Sequence, residues 1–294
     1  MKIEPKQVAV ITGGASGIGL SMARAFARKG MRLVLADIEQ TALDAAVAAL
    51  QSEGVDAVGV RTDVAVWADM ERLAQVTLDT YGAVHLLCNN AGVSILGPTW
   101  EMSLDDWRWV YDVNVWGVVH GVKAFVPLML KQGGPAHVLN TASMAAFGPI
   151  GTHTPYCSSK AAVASMSECL RSELELEGGN IGVSCLCPGM VATQIHRSWR
   201  NRPQDDAAWS QRESEDPSWI KAAAHIQGAG VASDVVAERV VTGIERGDFW
   251  IYSTEGAVNH VKQRMAPFFA GENPVVMSAA TAFDPTRWQQ PRSA

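Results

Sequence analysis

Tyr156 and Lys160 stand four residues apart in the stretch GTHTPYCSSKAA, residues 151–162, among the small side chains of Cys157, Ser158, Ser159, Ala161 and Ala162. On a helix this spacing puts a phenol and an ammonium on one face. The chain has 4 tyrosines and 8 lysines in 294 residues, and chance placement gives about 0.1 such pair. Tyr81, Tyr111 and Tyr252 have no lysine four residues on. The chemistry that suits the pair is proton transfer at a hydroxyl. Oxidising an alcohol needs a base to take the hydroxyl proton while hydride leaves carbon. A free tyrosine titrates near 10, and lowering it by about 2–3 units takes roughly 3–4 kcal/mol. One cation about 4 Å away, at an effective dielectric near 20, supplies roughly 4 kcal/mol. The spacing therefore predicts Lys160 as that cation and Tyr156 as acid and base.

A second constellation suits a dinucleotide. VAVITGGASGIGLSMARAFARKG reads as a strand, a glycine-rich turn and a helix, with Gly13, Gly17 and Gly19 spaced G-x-x-x-G-x-G. Glycines allow the tight turn and the close approach of backbone N–H groups to a pyrophosphate, which then faces the positive end of the helix dipole. Asp37, 18 residues past Gly19, ends the next apolar run. A carboxylate there accepts hydrogen bonds from ribose hydroxyls and repels a 2′-phosphate. Neither Gly14 nor Ile38 is an arginine that would attract one, so NAD is expected over NADP. Asp63 ends the third run in the same manner, which suggests a place at the adenine edge.

The elements that must position these groups alternate. Runs 7–12, 32–37, 57–63, 84–89, 137–143 and 181–187 are nearly continuously apolar and read as strands, with 249–253 as a last edge strand. Stretches 17–29, 40–53, 67–81, 104–131, 157–177 and 233–246 read as helices. Strand and helix in alternation imply right-handed βαβ units, hence an α/β fold: a single-domain, doubly wound (Rossmann) parallel sheet of about seven strands with helices on both faces. Continuous apolarity is what strands covered on both sides require. Residues 1–253 are expected to form this domain, with a substrate lid at about 190–230, where Trp199, Trp209 and Trp219 fall. Residues 254–294 read as a C-terminal extension of poor periodicity.

Composition narrows the partners. The chain is 48% hydrophobic and 18% charged with formal net charge −6, which argues against nucleic acid and anionic membranes. No signal-peptide pattern opens it, and no run of about 18 uninterrupted apolar residues suggests a membrane span. The five cysteines form no C-x-x-C and the seven histidines no H-x-x-x-H. No metal is expected, and a reducing, cytoplasmic setting is. Cys185 and Cys187 alternate on one strand and should share a face.

Over residues 7–193 the chain resembles the short-chain dehydrogenase/reductase family. The matching segments are TGGASGIG (12–19), NNAG (89–92), Asn114 in VNVWG, Ser143 in NTASM, YCSSK (156–160) and PGMVAT (188–193). The resemblance implies catalysis by Ser143, Tyr156, Lys160 and Asn114. Ser143 would stabilise the substrate oxygen, Lys160 would also bind the nicotinamide ribose, and Asn114 would hold a water that relays protons; a helix-interior asparagine that bends the backbone is the alternative for Asn114. It implies a cofactor set of Gly13, Ser16, Gly17, Ile18, Gly19, Asp37, Asp63, Val64, Asn90, Tyr156, Lys160, Gly189, Val191 and Thr193. Met144, Ala145, Phe147, His153 and Met190 would fall near the substrate. These mostly apolar side chains suggest a hydrophobic, aromatic or alicyclic secondary alcohol and its ketone. The tail, with QRMAPFF, is similar to that of members oxidising benzylic alcohols of lignin-type aryl ethers; steroid and terpene alcohols fit as well. The family implies a homodimer or homotetramer paired through 104–131 and 157–177, and Trp107, Trp109, Trp116 and Phe125 suit such an interface or an internal contact. The expected activity is NAD-dependent alcohol oxidation. An NADP-linked carbonyl reductase, a non-catalytic NAD-sensing protein and a scaffold are the alternatives.

Overall fold

A computed structural model describes residues 1–202 and 230–274. Trp209, Trp219, most of the expected lid and the end of the tail lie outside the described residues. Seven strands form one parallel sheet: β1 (Val8–Thr12), β2 (Arg32–Asp37), β3 (Ala57–Arg61), β4 (Leu86–Asn89), β5 (Ala136–Thr141), β6 (Ile181–Cys187) and β9 (Trp250–Tyr252), in spatial order β3-β2-β1-β4-β5-β6-β9. The strand order reverses between β1 and β4, so their carboxyl ends flank the switch point where such sheets bind ligands.

Alternation within the strands builds two cores. Ala9, Ile11, Leu33 and Leu35 face one side with α1 (Gly17–Arg28), α2 (Gln40–Ser52) and α7 (Ser233–Arg246). Val8, Val10, Val34 and Ala36 face the other with α3 (Trp67–Tyr81), α5 (Gly117–Gln132) and the end of α6 (Thr154–Leu176). Each fully buried Val, Leu or Ile contributes roughly 1.5–3 kcal/mol relative to exposure. Polar bonds fix α1 to α7, where Ser21 Oγ bonds Ser233 Oγ at 2.8 Å and Asp234 Oδ1 at 2.6 Å.

Several sequence expectations shift here. The stretch 104–131 is α4 (Leu104–Tyr111), one π turn (Asp112–Trp116) and α5. By length and composition, 104–132 is apolar enough to cross a membrane; it lies instead along the sheet, α5 against α3, β4 and β5. Gly117 and Gly121 make that approach possible: a Cβ at Gly121 would stand 1.9 Å from Asn89 Oδ1, and one at Gly117 2.8 Å from Val64 Cγ2. Of the four aromatics expected at a subunit interface, Phe125 and Trp109 are core residues, Trp107 is half-buried and only Trp116 is exposed. Helix α6 begins at Thr154, three residues earlier than its apolar pattern, because Pro155 suits its first turn. The tail contains a helix, α8 (Ala257–Ala270), whose Phe268 and Phe269 are exposed. Within the lid region, β7 (Val191–Ala192) pairs in parallel with β8 (Val231–Ala232), and a 3₁₀ segment spans Ile195–Asn201.

At the amino end of β5, His137 is 1% exposed. Its Nε2 bonds Ser184 Oγ at 2.8 Å, and Ser184 donates to Asp248 O at 2.6 Å. Burial pushes this imidazole down to about 3. The unfolded chain binds the proton near 6.5, so the stabilising effect is complete above that pH and is lost as pH falls towards the folded value. Within that window each such group costs about 1.4 kcal/mol per pH unit. The urea midpoint is expected to fall between pH 7 and pH 5, and less steeply in His137→Asn. An equal slope in the variant would overturn this assignment.

Candidate active site

The carboxyl ends of β1, β4, β5 and β6 meet at a polar knot. Thr12 Oγ1 accepts the backbone N–H groups of Asn90 at 2.9 Å and Ala91 at 3.1 Å, and donates to Cys88 O at 3.3 Å. Asn90 Nδ2 returns to Thr12 O at 3.0 Å, and its Oδ1 accepts from Thr141 Oγ1 at 3.4 Å. The glycine turn, the NNAG loop and the end of β5 are thereby held together.

Lys160 is 3% exposed, and its Nζ donates to Thr141 O at 2.9 Å. It sits 5.8 Å from the centroid of the Tyr156 ring. Gly92 flanks it closely: a Cβ there would stand 3.2 Å from Lys160 Nζ and 3.4 Å from Asn114 Oδ1. Asn114 lies in the π turn, fully buried, where its Oδ1 accepts Val93 N at 2.8 Å and its Nδ2 donates to Val93 O and Ser159 Oγ, both at 3.0 Å. Asn114 thus lies within the break in the helix and on the lysine's side of Gly92. Ser143 Oγ accepts Ala145 N at 3.1 Å and donates to Pro188 O at 3.4 Å. The Tyr156 phenol lies beside this hydroxyl and is influenced by it.

The electrostatics differ from the sequence expectation. Burial pushes Tyr156 up to about 12, and the neighbouring Ser143 hydroxyl, rather than the Lys160 charge, pulls it back. Burial likewise pushes Lys160 down to about 8. Removal from water disfavours the charged form of each group, a cost the spacing argument left out. The phenol is therefore a proton donor at neutral pH, with a mostly charged ammonium below it.

The glycine turn suits a pyrophosphate. Gly13 and Gly17 have φ of 62° and 52°. Gly19 packs so closely that a Cβ would lie 2.0 Å from Gly13 O. Ser16 is exposed and makes no side-chain capping bond, while Ile18 is half-buried against the core. Asp37 Oδ2 accepts Ala15 N at 3.0 Å and Oδ1 accepts Glu39 N at 3.1 Å, so the carboxylate also braces the turn. Burial, the largest influence, raises its pKa, and the backbone bonds oppose it. Asp63 Oδ1 accepts Ala65 N at 3.0 Å. Val64 is buried, with its carbonyl bonded to His120 Nδ1 at 2.8 Å. A dinucleotide fits this set: an open positive-φ turn at a helix start, with a carboxylate at the neighbouring strand end.

Beyond β6, Gly189 N donates to Ser253 Oγ at 2.9 Å, Val191 is buried in β7, and Thr193 Oγ1 accepts Ile195 N at 3.4 Å. A Cβ at Gly17 would meet Thr193 Cγ2 at 3.3 Å, so this loop closes on the glycine turn. The strap Ile195–Asn201 is then stitched down on several elements. Ser198 Oγ accepts Ser94 N at 2.9 Å and donates to Ser94 O at 3.0 Å. Trp199 packs on Val93, Ile95, Met102 and Trp109. The next residue, Arg202, forms a buried ion pair with Asp106.

Among the expected substrate residues, Ala145 and Met190 are half-buried. His153 stands edge-on to Tyr156, with centroids 6.5 Å apart, and burial pushes it down to about 4. Met144 and Phe147 pack with Ala146 on Cys185, Cys187 and Trp250, and the Phe147 ring meets Trp250 at 5.3 Å. The half-buried Phe147 thus braces the sheet edge with one side of its ring. Sequence reasoning passed over Thr12, Thr141, Ser159, Gly92 and Ser253. Thr12, Gly92, Thr141 and Ser159 stood inside quoted motifs without a role assigned to them, and Ser253 gave no signal beyond ending the last strand run.

A family model described as short chain dehydrogenase matches residues 7–204. The 1-deoxy-11-beta-hydroxypentalenate dehydrogenase of Streptomyces arenae is 42% identical over 195 residues, 64% of this chain and 68% of its own. A C alpha-dehydrogenase of Sphingobium sp. is 34% identical over 252 residues, 85% of this chain and 81% of its own. Among solved structures, a short chain dehydrogenase/reductase from Burkholderia phymatum in complex with NAD superposes with a TM-score of 0.86 at 37% identity, covering 94% of this chain and 98% of that one.

Proposed function

Since the chain belongs to the short-chain dehydrogenase family, and is thus an oxidoreductase acting on CH–OH groups, we propose that it interconverts a hydrophobic secondary alcohol and its ketone with NAD, using Tyr156 as acid and base. The observation that carries this reading is the gathering of Tyr156, Ser143 and the buried Lys160 at the carboxyl end of β5, with Lys160 Nζ 5.8 Å from the Tyr156 ring and bonded to Thr141 O. The nicotinamide, when bound, takes or gives the hydride and brings a positive charge in its oxidised form. Ser143 and Tyr156 polarise the substrate oxygen from one side. Lys160 holds charge beneath the phenol and would bind a ribose hydroxyl, and Asn114 keeps the π turn against Val93 and holds the relay water. Burial keeps the phenol protonated at neutral pH, the form that gives its proton to a ketone oxygen, and the positive charge of a bound oxidised nicotinamide would favour the phenolate that the reverse direction needs.

NAD rather than NADP is supported by Asp37 at the end of β2 and by the likeness to a structure in complex with NAD. A hydrophobic substrate is supported by the half-buried Met144, Ala145 and Met190 and by the pentalenate and C alpha names of two relatives. Five free cysteines fit a reducing, cytoplasmic setting, and the exposed Trp116 and Leu104 fit a homodimer or homotetramer.

Calorimetric titration is expected to show NAD⁺ binding at least tenfold tighter than NADP⁺, and a panel of hydrophobic secondary alcohols with NAD⁺ should yield NADH absorbance. Equal nucleotide affinities would remove the argument from Asp37. Binding without turnover on any alcohol or ketone would favour the sensing protein instead.

A further inference from the structure

The strap that leaves β6 carries a cation to the edge of the nucleotide turn. Glu39 lies two residues past Asp37 and donates its backbone N–H to Asp37 Oδ1 at 3.1 Å. Its carboxylate is gripped by Arg200, with Nη2 at 2.5 Å from Oε1 and Nε at 3.3 Å from Oε2. Asn201 Nδ2 adds a third bond to Oε1 at 3.0 Å. Arg200 is anchored from its own segment too, since Nη1 donates to Arg197 O at 2.9 Å. Each side chain of the ion pair is 30% exposed, so solvent screens it only in part. Burial tends to raise the Glu39 pKa, but the bonds from Arg200 and Asn201 prevail and hold it below the usual carboxylate range, which keeps the pair ionised at neutral pH.

A guanidinium is the side chain best shaped to take a phosphate in its fork. One stands here a single side chain away from the carboxylate assigned to the adenosine ribose, but its fork is already filled. We propose that Glu39 is a second determinant of cofactor choice, acting by occupying Arg200 and so denying a 2′-phosphate the guanidinium that the strap brings beside Glu39. Asp37 repels the phosphate directly, whereas Glu39 removes what would offset that repulsion. The inference rests on the NAD reading above and adds a positioning residue to it.

The test is calorimetric titration of Glu39→Gln, Arg200→Ala and the double variant with NAD⁺ and NADP⁺ at one ionic strength. Freeing the guanidinium in Glu39→Gln is expected to tighten NADP⁺ about tenfold, the worth of one charge-assisted hydrogen bond. NAD⁺ affinity should stay within about threefold, because the ribose carboxylate is untouched. Arg200→Ala alone should leave NADP⁺ weak. The double variant should lose the gain, which separates capture by Arg200 from the mere loss of a negative charge. Glu39→Ala repeats the comparison without an amide oxygen that could still hold Arg200. NADP⁺ affinity unchanged in both single Glu39 variants, or a gain that persists in the double variant, overturns the proposal. The parent's own NAD⁺ to NADP⁺ ratio tests Asp37 separately, so failure of that reading and failure of this one are read from different titrations.

Discussion

Tyr156→Phe is expected to lower kcat by about 10²–10⁴-fold while nucleotide affinity stays within about threefold. The substitution removes one oxygen and leaves the ring, so the helix start keeps its packing. Ser143 retains Ala145 N and Pro188 O, so the loop after β5 should hold its shape. Lys160 keeps its bond to Thr141 O, and the knot through Thr12 and Asn90 is untouched. What disappears is the tyrosine hydroxyl beside Ser143, and with it the group that gives or takes the proton. Steady-state rates in both directions, with nucleotide titration alongside, provide the check. Turnover within tenfold of the parent would show that the proton travels by another group.

Gly19→Ala should abolish measurable nucleotide binding, about 100-fold or more in affinity, for a reason that is purely steric. A Cβ at this position would lie 2.0 Å from Gly13 O and 2.8 Å from Asn90 Nδ2. The nearer atom belongs to the backbone and cannot swing aside, so the turn itself must move. Displacements of about 1 Å in a positioning element are enough to cost two orders of magnitude. Overpacking of this kind also destabilises folds by typically about 1–3 kcal/mol, so the urea midpoint should drop as well. Gly134→Ala is the control, because nothing lies within 4 Å of its Cβ position and its φ is ordinary. Binding retained by Gly19→Ala would mean that the turn does not hold the pyrophosphate.

The sequence made the sheet plain because its strands are buried on both faces, and such strands write themselves as apolar runs. The order of Gly13, Asp37, Asn90, Ser143 and Tyr156 along the chain was enough to bring them to one end of that sheet. Three things were hidden, each for a physical reason. The break at 112–116 was hinted at only by Asn114, because hydrophobicity records burial and not hydrogen-bond register. Helix α8 buries Ala257 and little else, so it never developed a stripe to read. The strap depends on partners more than a hundred residues away, such as Ser94 for Ser198 and Glu39 for Arg200, which no local pattern reveals. The most instructive difference concerns charge. Four-residue spacing predicts that Tyr156 and Lys160 are neighbours, and they are. It says nothing of how far both have been taken out of water, and that term sets the direction in which each is shifted.

The π turn also acts as a phase correction. An α-helix advances about 100° per residue, and a π turn admits roughly one extra residue into the ladder. Removing one residue between Asp112 and Trp116 would therefore rotate all of α5 by about that angle about its own axis. Gly117 and Gly121, which share one side and let the helix touch Val64 and Asn89, would turn away, and valines would be driven at the sheet in their place. The bulge that carries Asn114 thus sets the azimuth of the helix behind it, and a single indel here would decouple the active-site wall from its support without altering any residue that touches substrate.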